Sequence, residues 1–105
     1  MIVDQQLQDS MVVCWAASQG DVYELQRLSA SGVNLAAADY DGRTGMHLAA
    51  SEGHLEAVTF LVAKGCPVDA KDRFGGTPLI DAKRGNFKTI ITFLQNCSKK
   101  SHAKN

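Results

Sequence analysis

A period of 33 residues runs through this chain and constrains its fold more than any other feature. Four residues of a middle copy recur in order in the next one, with Asp39, Gly42, Thr44 and Ala49 matching Asp72, Gly75, Thr77 and Ala82. The same step in the other direction reaches a first copy, where Ala16, Ala17, Gly20, Leu28, Gly32 and Leu35 match Ala49, Ala50, Gly53, Leu61, Gly65 and Val68. A period of this length is typical of a solenoid whose stacked units share one core.

Within each copy, the residue types predict a turn followed by two helices. The D-x-x-G string suits a tight turn, because glycine adopts positive φ without strain. Thr44 can cap the first helix and Gly53 can end it. The second helix is indicated by apolar residues at helical spacing, namely Leu55, Val58, Leu61 and Val62. We therefore predict an all-α solenoid of about three helix–turn–helix repeats with projecting turns.

The domain limits follow from the copies. We expect repeats at about 11–38, 39–71 and 72–97, which together form a domain at 11–97. An N-terminal lead covers 1–10, and a basic flexible tail covers 98–105.

The third copy is irregular. Its second helix aligns best at a step of 32, with Phe87, Ile90, Phe93 and Leu94 opposite the four apolar residues of the middle copy. This alignment predicts that one residue is missing near Lys83, Arg84 and Gly85, so that the first helix is shortened or its turn tightened. The predicted buried residues are Met46, Leu48, Val58, Leu61, Leu79, Ile90 and Phe93.

The motifs T-G-M-H-L-A-A and G-H-L-E-A-V, together with the 33-residue period, resemble the ankyrin repeat. The likeness covers about residues 11–97, with departures at Gly45, Ile80 and Asp81. In finer detail, D-Y-D-G-R-T and K-D-R-F-G-G-T-P-L-I-D-A are similar to the C-terminal ankyrin segment of glutaminases. The ankyrin segments of plant potassium channels carry a D-Y-D-G-R-T-like string too. The glutaminase catalytic domain is absent from this sequence, so the resemblance carries no activity over.

Composition and charge favour a cytoplasmic protein that works in a reducing compartment. Three cysteines without a C-x-x-C pair argue against both a disulfide framework and a zinc site. The chain has no net charge, but residues 1–38 hold four acids and one base, whereas residues 72–105 hold two acids and seven bases. This basic end lacks the dense basic face with aromatics that nucleic-acid binding needs. The apolar runs are too short to cross a bilayer, so we expect no membrane contact.

Three further features have simple interpretations. His47 and His54 lack a third ligand at compatible spacing, and the resemblance implies structural roles for both, so we expect no metal and no cofactor. Ser101 and Lys104 fit S-x-x-K, but they lie in a polar tail, which indicates a chance match. Trp15 occupies the place of Leu48 and is expected in the core, with exposure at an incomplete end as the alternative.

The function expected from these features is non-catalytic protein–protein interaction. The resemblance implies that partners bind a concave face of turn tips and first helices, on which seven residues stand, namely Tyr40, Asp41, Arg43, Ser51, Glu52, Arg73 and Phe74. The aromatic and arginine residues among them are the expected anchors, because such side chains dominate binding energy. The partner is another protein, with self-association open. The alternative function is a regulatory or oligomerisation tail of a glutaminase, or a relative of one, without the catalytic domain.

Overall fold

The computed structural model describes residues 4–103, with side chains for residues 4–98. It contains six helices in chain order, α1 Gln5–Ser18, α2 Val22–Ala30, α3 Gly45–Glu52, α4 Leu55–Ala63, α5 Pro78–Gly85 and α6 Lys88–Ala103. No strand occurs in this part of the chain. The predicted all-α repeat architecture is therefore confirmed.

The helices form two layers. The first helix of each repeat packs beside its counterpart, α1 on α3 and α3 on α5, while α2, α4 and α6 cover them as a second layer. The core lies between the layers. Of the predicted core residues, Met46, Val58, Leu61 and Ile90 are at most 1% exposed. Leu48, Leu79 and Phe93 pack against this core but stay partly exposed.

Alanines and glycines let the first helices approach closely. Ala16, Ala49 and Ala82 are almost fully buried at equivalent places in α1, α3 and α5. A Cβ added to Gly45 would lie 2.9 Å from the side chain of Val13 in α1. Gly45, one of the departures from the ankyrin pattern, therefore lets the first two repeats pack closely.

The third repeat has no missing residue, so that prediction was wrong. Helix α5 has eight residues, as α3 does, and α6 begins 33 residues after α4. Asn86 takes the left-handed conformation that Gly53 takes one repeat earlier, with φ of 61° against 81°. Ile90 and Leu94 are buried where Ala57 and Leu61 are buried, which keeps the step at 33.

Phe87 explains why the sequence suggested a shorter step. In the alignment at 32 it stood opposite Leu55, as the first apolar residue of the second helix. In the structure it occupies the position of His54 instead. Its ring packs over Gly53, just as the His54 ring packs over Gly20.

Helical structure extends further than the expected repeat limits at both ends. Helix α1 begins at Gln5 because Asp4 accepts a hydrogen bond from the Gln6 amide, and the buried Asp9 accepts one from the Asn34 amide. Helix α6 continues to Ala103 because Ser98 stands where Gly32 and Gly65 end the earlier second helices. The expected lead 1–10 and tail 98–105 thus both contain helical residues.

Candidate functional site

The projecting turns are built by one aspartate each. Asp39 accepts hydrogen bonds from the amides of Asp41 and Arg43, both at 2.9 Å, and Asp72 accepts equivalent bonds from Phe74 and Gly76. The amide of Gly76, followed by that of Phe74, holds the pKa of Asp72 below its usual value. The turn carboxylate therefore stays ionised at neutral pH and fixes the backbone that carries the residues at the tip.

Adjacent turns are joined to each other at their tips. The Arg73 amide donates to the Asp41 carbonyl oxygen at 2.7 Å, and the Arg73 guanidinium lies 3.2 Å from the Asp41 carboxylate. The same guanidinium is 5.5 Å from the centre of the Phe74 ring. Tyr40 and Phe74 are 85% and 80% exposed. We call these four residues, Tyr40, Asp41, Arg73 and Phe74, the turn-tip cluster.

Arg43 differs from the other expected anchors because it is engaged between two repeats. Its guanidinium lies 3.4 Å from the carboxylate of Asp81, and its side chain is only 33% exposed. Arg84 reaches the same carboxylate at 3.5 Å from the solvent side. The acid at position 81, which departs from the ankyrin pattern, thus has a structural partner in the preceding repeat. We therefore assign Arg43 to positioning the third repeat on the second.

Loss of the Asp81 carboxylate is expected to lower the free energy of unfolding by about 1–3 kcal/mol, because Arg43 would keep a largely buried charge without its partner. Urea unfolding of Asp81→Ala measures this. Arg84→Ala is the matched control, since it removes a partner of the same carboxylate that is 75% exposed. It should change stability by less than about 0.5 kcal/mol. Equal effects of the two substitutions would contradict the assignment.

The remaining expected site residues lie at the carboxyl end of α3. Ser51 is half-buried and Glu52 is exposed, next to Gly53, which ends the helix. Their counterparts in the third repeat are Arg84 and Gly85. Ser51 and Glu52 therefore lie at the end of α3 that is away from the turn, and they are not part of the turn-tip cluster.

Both described histidines hold repeats together. The Thr44 amide donates to His47 Nδ1 at 3.0 Å, so Nε2 carries the proton and donates to the Gly76 carbonyl oxygen at 2.9 Å. His54 Nε2 lies 3.0 Å from the Ser18 carbonyl oxygen. Among residues 4–103, no three histidine, cysteine or acidic side chains come together as a metal site would require.

Cys14 stands at the position of His47 in the first repeat. Its thiol lies 3.9 Å from the Arg43 carbonyl oxygen, the counterpart of the His47 contact with Gly76. Burial, with a smaller effect from the charge of Asp39, raises the pKa of this thiol to about 11. A thiol that stays protonated at neutral pH is a poor nucleophile, and this fits a packing role.

Two other expectations bear on the site. Trp15 is 68% exposed, so the core expectation was wrong and the alternative of exposure at an end is correct.

The S-x-x-K match at Ser101 and Lys104 lies outside the residues whose side chains are described. None of the helices between Asp4 and Ala103 has the length and apolar character needed to cross a bilayer.

The chain is similar in sequence to several known proteins. The family model for ankyrin repeats, in three copies, matches residues 13–105. The liver isoform of mitochondrial glutaminase from Rattus norvegicus is 43% identical over 84 residues, which cover 78% of this chain and 14% of that protein. An L-asparaginase from Dirofilaria immitis is 36% identical over 85 residues, covering 81% of the chain and 14% of that protein. The potassium channel GORK from Arabidopsis thaliana is 40% identical over 84 residues, covering 80% of the chain and 10% of the channel.

The chain thus spans only 10–14% of the length of these relatives. These relatives are a glutaminase, an L-asparaginase and a potassium channel, so the shared segment accompanies different activities. Both finer resemblances noted in the sequence, to glutaminases and to plant potassium channels, are confirmed.

Proposed function

Because the chain belongs to the ankyrin-repeat family, a family of protein-interaction modules, we propose that it binds another protein through the turn-tip cluster. The observation that carries the proposal is the exposure of Tyr40 and Phe74 on neighbouring turns, at 85% and 80%. Neither ring contributes to the core. Large exposed aromatic side chains on a fixed backbone are typical of binding surfaces.

The backbone that presents these rings is already ordered. Asp39 and Asp72 fix the two turns through paired amide hydrogen bonds, and Arg73 ties one turn to the next through Asp41. A partner would therefore meet a preorganised surface and would lose little binding free energy to ordering it. This rigidity supports the cluster as an anchor site.

Charge on the first helices of the second and third repeats indicates the polarity of the partner. Lys83 and Arg84 are exposed on α5, whereas Glu52 is exposed on α3. We propose that the partner presents an acidic segment towards the third repeat. Such a match speeds association more than it raises affinity, so the association rate should fall as salt is added.

Truncation of the two rings tests the site. A partner is first selected from a displayed protein or peptide library against the intact chain, and its affinity is measured by calorimetry. Tyr40→Ala and Phe74→Ala should each weaken binding by more than about 1 kcal/mol, because each removes an aromatic contact. The control is Thr59→Ala on α4, whose hydroxyl donates only to the Glu56 carbonyl oxygen of its own helix.

The double variant Tyr40→Ala, Phe74→Ala decides the assignment. Circular dichroism must first show that it keeps the helical content of the parent chain. If the folded double variant binds the selected partner with unchanged affinity, the turn-tip cluster is not the binding site.

A second candidate function is that of a regulatory or oligomerisation segment belonging to, or derived from, a glutaminase. The identity of 43% to the rat liver isoform favours it. Sequencing of the transcript tests it, since an upstream reading frame that encodes a serine-dependent glutaminase domain would support this candidate. A transcript whose reading frame begins at Met1 would support the free-standing binding module instead.

We propose further that the chain itself does not catalyse a reaction and that it works in the reducing cytoplasm. The free thiols of Cys14, Cys66 and Cys97 support a reducing setting, because disulfides are the usual state of paired cysteines in oxidising compartments. Since the rat relative is named as mitochondrial, cell fractionation with an antibody to the chain is the direct test of compartment.

A further inference from the structure

We propose that copies of this chain stack head to tail, with the first repeat of one copy on the third repeat of another, so that the solenoid continues across the junction. This self-association goes beyond the partner site at the turn tips, with which it shares only Phe74. It rests on two apolar end faces, on the contacts that equivalent residues make inside the chain, and on the charges of the two ends.

The face at the first repeat exposes large apolar side chains. Met11, Val12 and Trp15 on α1 are 70%, 44% and 68% exposed. Inside the chain, the equivalent of Trp15 in the third repeat is covered by the preceding repeat, and its equivalent in the second repeat packs partly on the core. Asp81 is 5% exposed beneath Arg43, and Leu48 is half-buried. Trp15 thus occupies a position that this fold uses for contact with a preceding repeat.

Val12 also occupies a position that this fold uses for contact between repeats. Its equivalents are Gly45, where an added Cβ would lie 2.9 Å from the side chain of Val13 and 3.3 Å from that of Ala17, and the fully buried Pro78. Gly45 lies against the preceding repeat and Pro78 is fully buried, whereas Val12 is 44% exposed. The apolar face is therefore an inter-repeat surface by position as well as by composition.

The opposite face, at the third repeat, has lost the polar groups that join repeats. Asp41 and His47 bind the next repeat through Arg73 and Gly76. Their equivalents one step later are Phe74 and Ile80, which are 80% and 40% exposed. End repeats of a solenoid normally present polar outer faces. Apolar residues at these two positions favour coverage by another apolar surface.

The internal contacts indicate which residues would meet at such a junction. The His54 ring lies 3.0 Å from the backbone carbonyl oxygen of Ser18 in the preceding repeat, and the equivalent residues are Asp21 on the incoming copy and Arg84 on the receiving copy. The junction would therefore place an acidic residue beside the backbone of a basic one. Asp81 contacts Arg43, and the equivalents are Trp15 and Gly76, so the largest side chain of the chain would meet a residue without one.

This charge match extends to the ends as a whole. Residues 1–38 hold four acids and one base, and residues 72–105 hold two acids and seven bases. Two copies approaching head to tail attract each other, whereas two acidic first repeats, or two basic third repeats, repel. The occupant of the apolar face is therefore a second copy in head-to-tail orientation, which gives an open chain of copies.

Sedimentation of the 105-residue chain over a range of concentrations tests the stacking. The average mass should rise with concentration above the 11.3 kDa of one copy, and added salt should lower it. Trp15→Lys blocks one face and Ile80→Lys blocks the other, because each would place a charge in an apolar contact. Both side chains are exposed in the single copy, so both variants should fold. Each variant alone should associate at least about tenfold more weakly than the parent chain.

Mixing the two variants separates head-to-tail stacking from symmetric pairing. Trp15→Lys keeps an intact third-repeat face and Ile80→Lys keeps an intact first-repeat face, so the mixture should form a 1:1 dimer and stop there. Tyr40→Ala is the control, and it should associate as the parent chain does while losing affinity for a partner at the turn tips. The proposal is overturned if the parent chain keeps the mass of one copy at every concentration, if either blocked variant associates normally, or if the mixture stays monomeric.

Discussion

Replacing Leu61 with alanine is expected to lower the free energy of unfolding by about 2–5 kcal/mol. Leu61 is fully buried in α4, in the same layer as Leu28 and Leu94 at the equivalent places in α2 and α6. The substitution removes side-chain carbons from the place where the second-layer helices pack on the first layer. A chain of three repeats has few other buried contacts that could compensate for such a cavity.

Urea unfolding followed by circular dichroism measures the effect. Val62→Ala is the matched control, because Val62 is the next residue of the same helix and is only half-buried. Its cost should be clearly smaller. An unchanged midpoint for Leu61→Ala would contradict the packing of α4, and equal costs would mean that the helix is rotated from the position described.

The period and the turns could be predicted from the sequence because their chemistry is local. A D-x-x-G string determines its own turn, since the aspartate accepts amides within four residues and the glycine takes positive φ. Helical spacing of apolar residues likewise indicates which face of a helix is buried. Met46, Val58 and Leu61 were therefore identified correctly as core residues.

The register of the third repeat could not be predicted from apolar spacing, because two substitutions there disguise it. Asn86 replaces a glycine at a left-handed position, which asparagine tolerates better than most residues. Phe87 then places a large apolar residue at a site where the second repeat has a histidine. A pattern that counts only apolar residues shifts by one at this point.

The positions of the candidate residues were predicted in part, and their role in binding stays a prediction. Tyr40 and Phe74 are exposed on the turns where the pattern placed them, but Arg43 is paired with Asp81 of the next repeat. Asp81 was noted only as a departure from the family pattern. An acid at an inter-repeat position signals a basic partner one repeat away, and Arg43 was the base available. Trp15 was expected in the core because it aligns with Leu48, but no residue among those described covers it, and it is 68% exposed.

Gly53→Ala is expected to lower the free energy of unfolding by about 2–5 kcal/mol, through two effects at one carbon. Gly53 has φ of +81°, where a side chain costs about 1–2 kcal/mol. An added Cβ would also lie 2.6 Å from the Phe87 ring, and overpacking of this kind costs about 1–3 kcal/mol.

Gly65→Ala separates the two effects. Gly65 has φ of +87°, but no atom lies within 4 Å of the position of its Cβ, so alanine there should cost only the backbone strain of about 1–2 kcal/mol. The difference between the two variants, measured by urea unfolding, then reports the contact between Gly53 and Phe87. Adding Phe87→Leu to Gly53→Ala should recover part of that difference, because a smaller side chain leaves room for the new methyl group. If the two glycine variants are equally stable, the ring of Phe87 does not pack over Gly53. The 33-residue register of the third repeat would then lack the support of this contact.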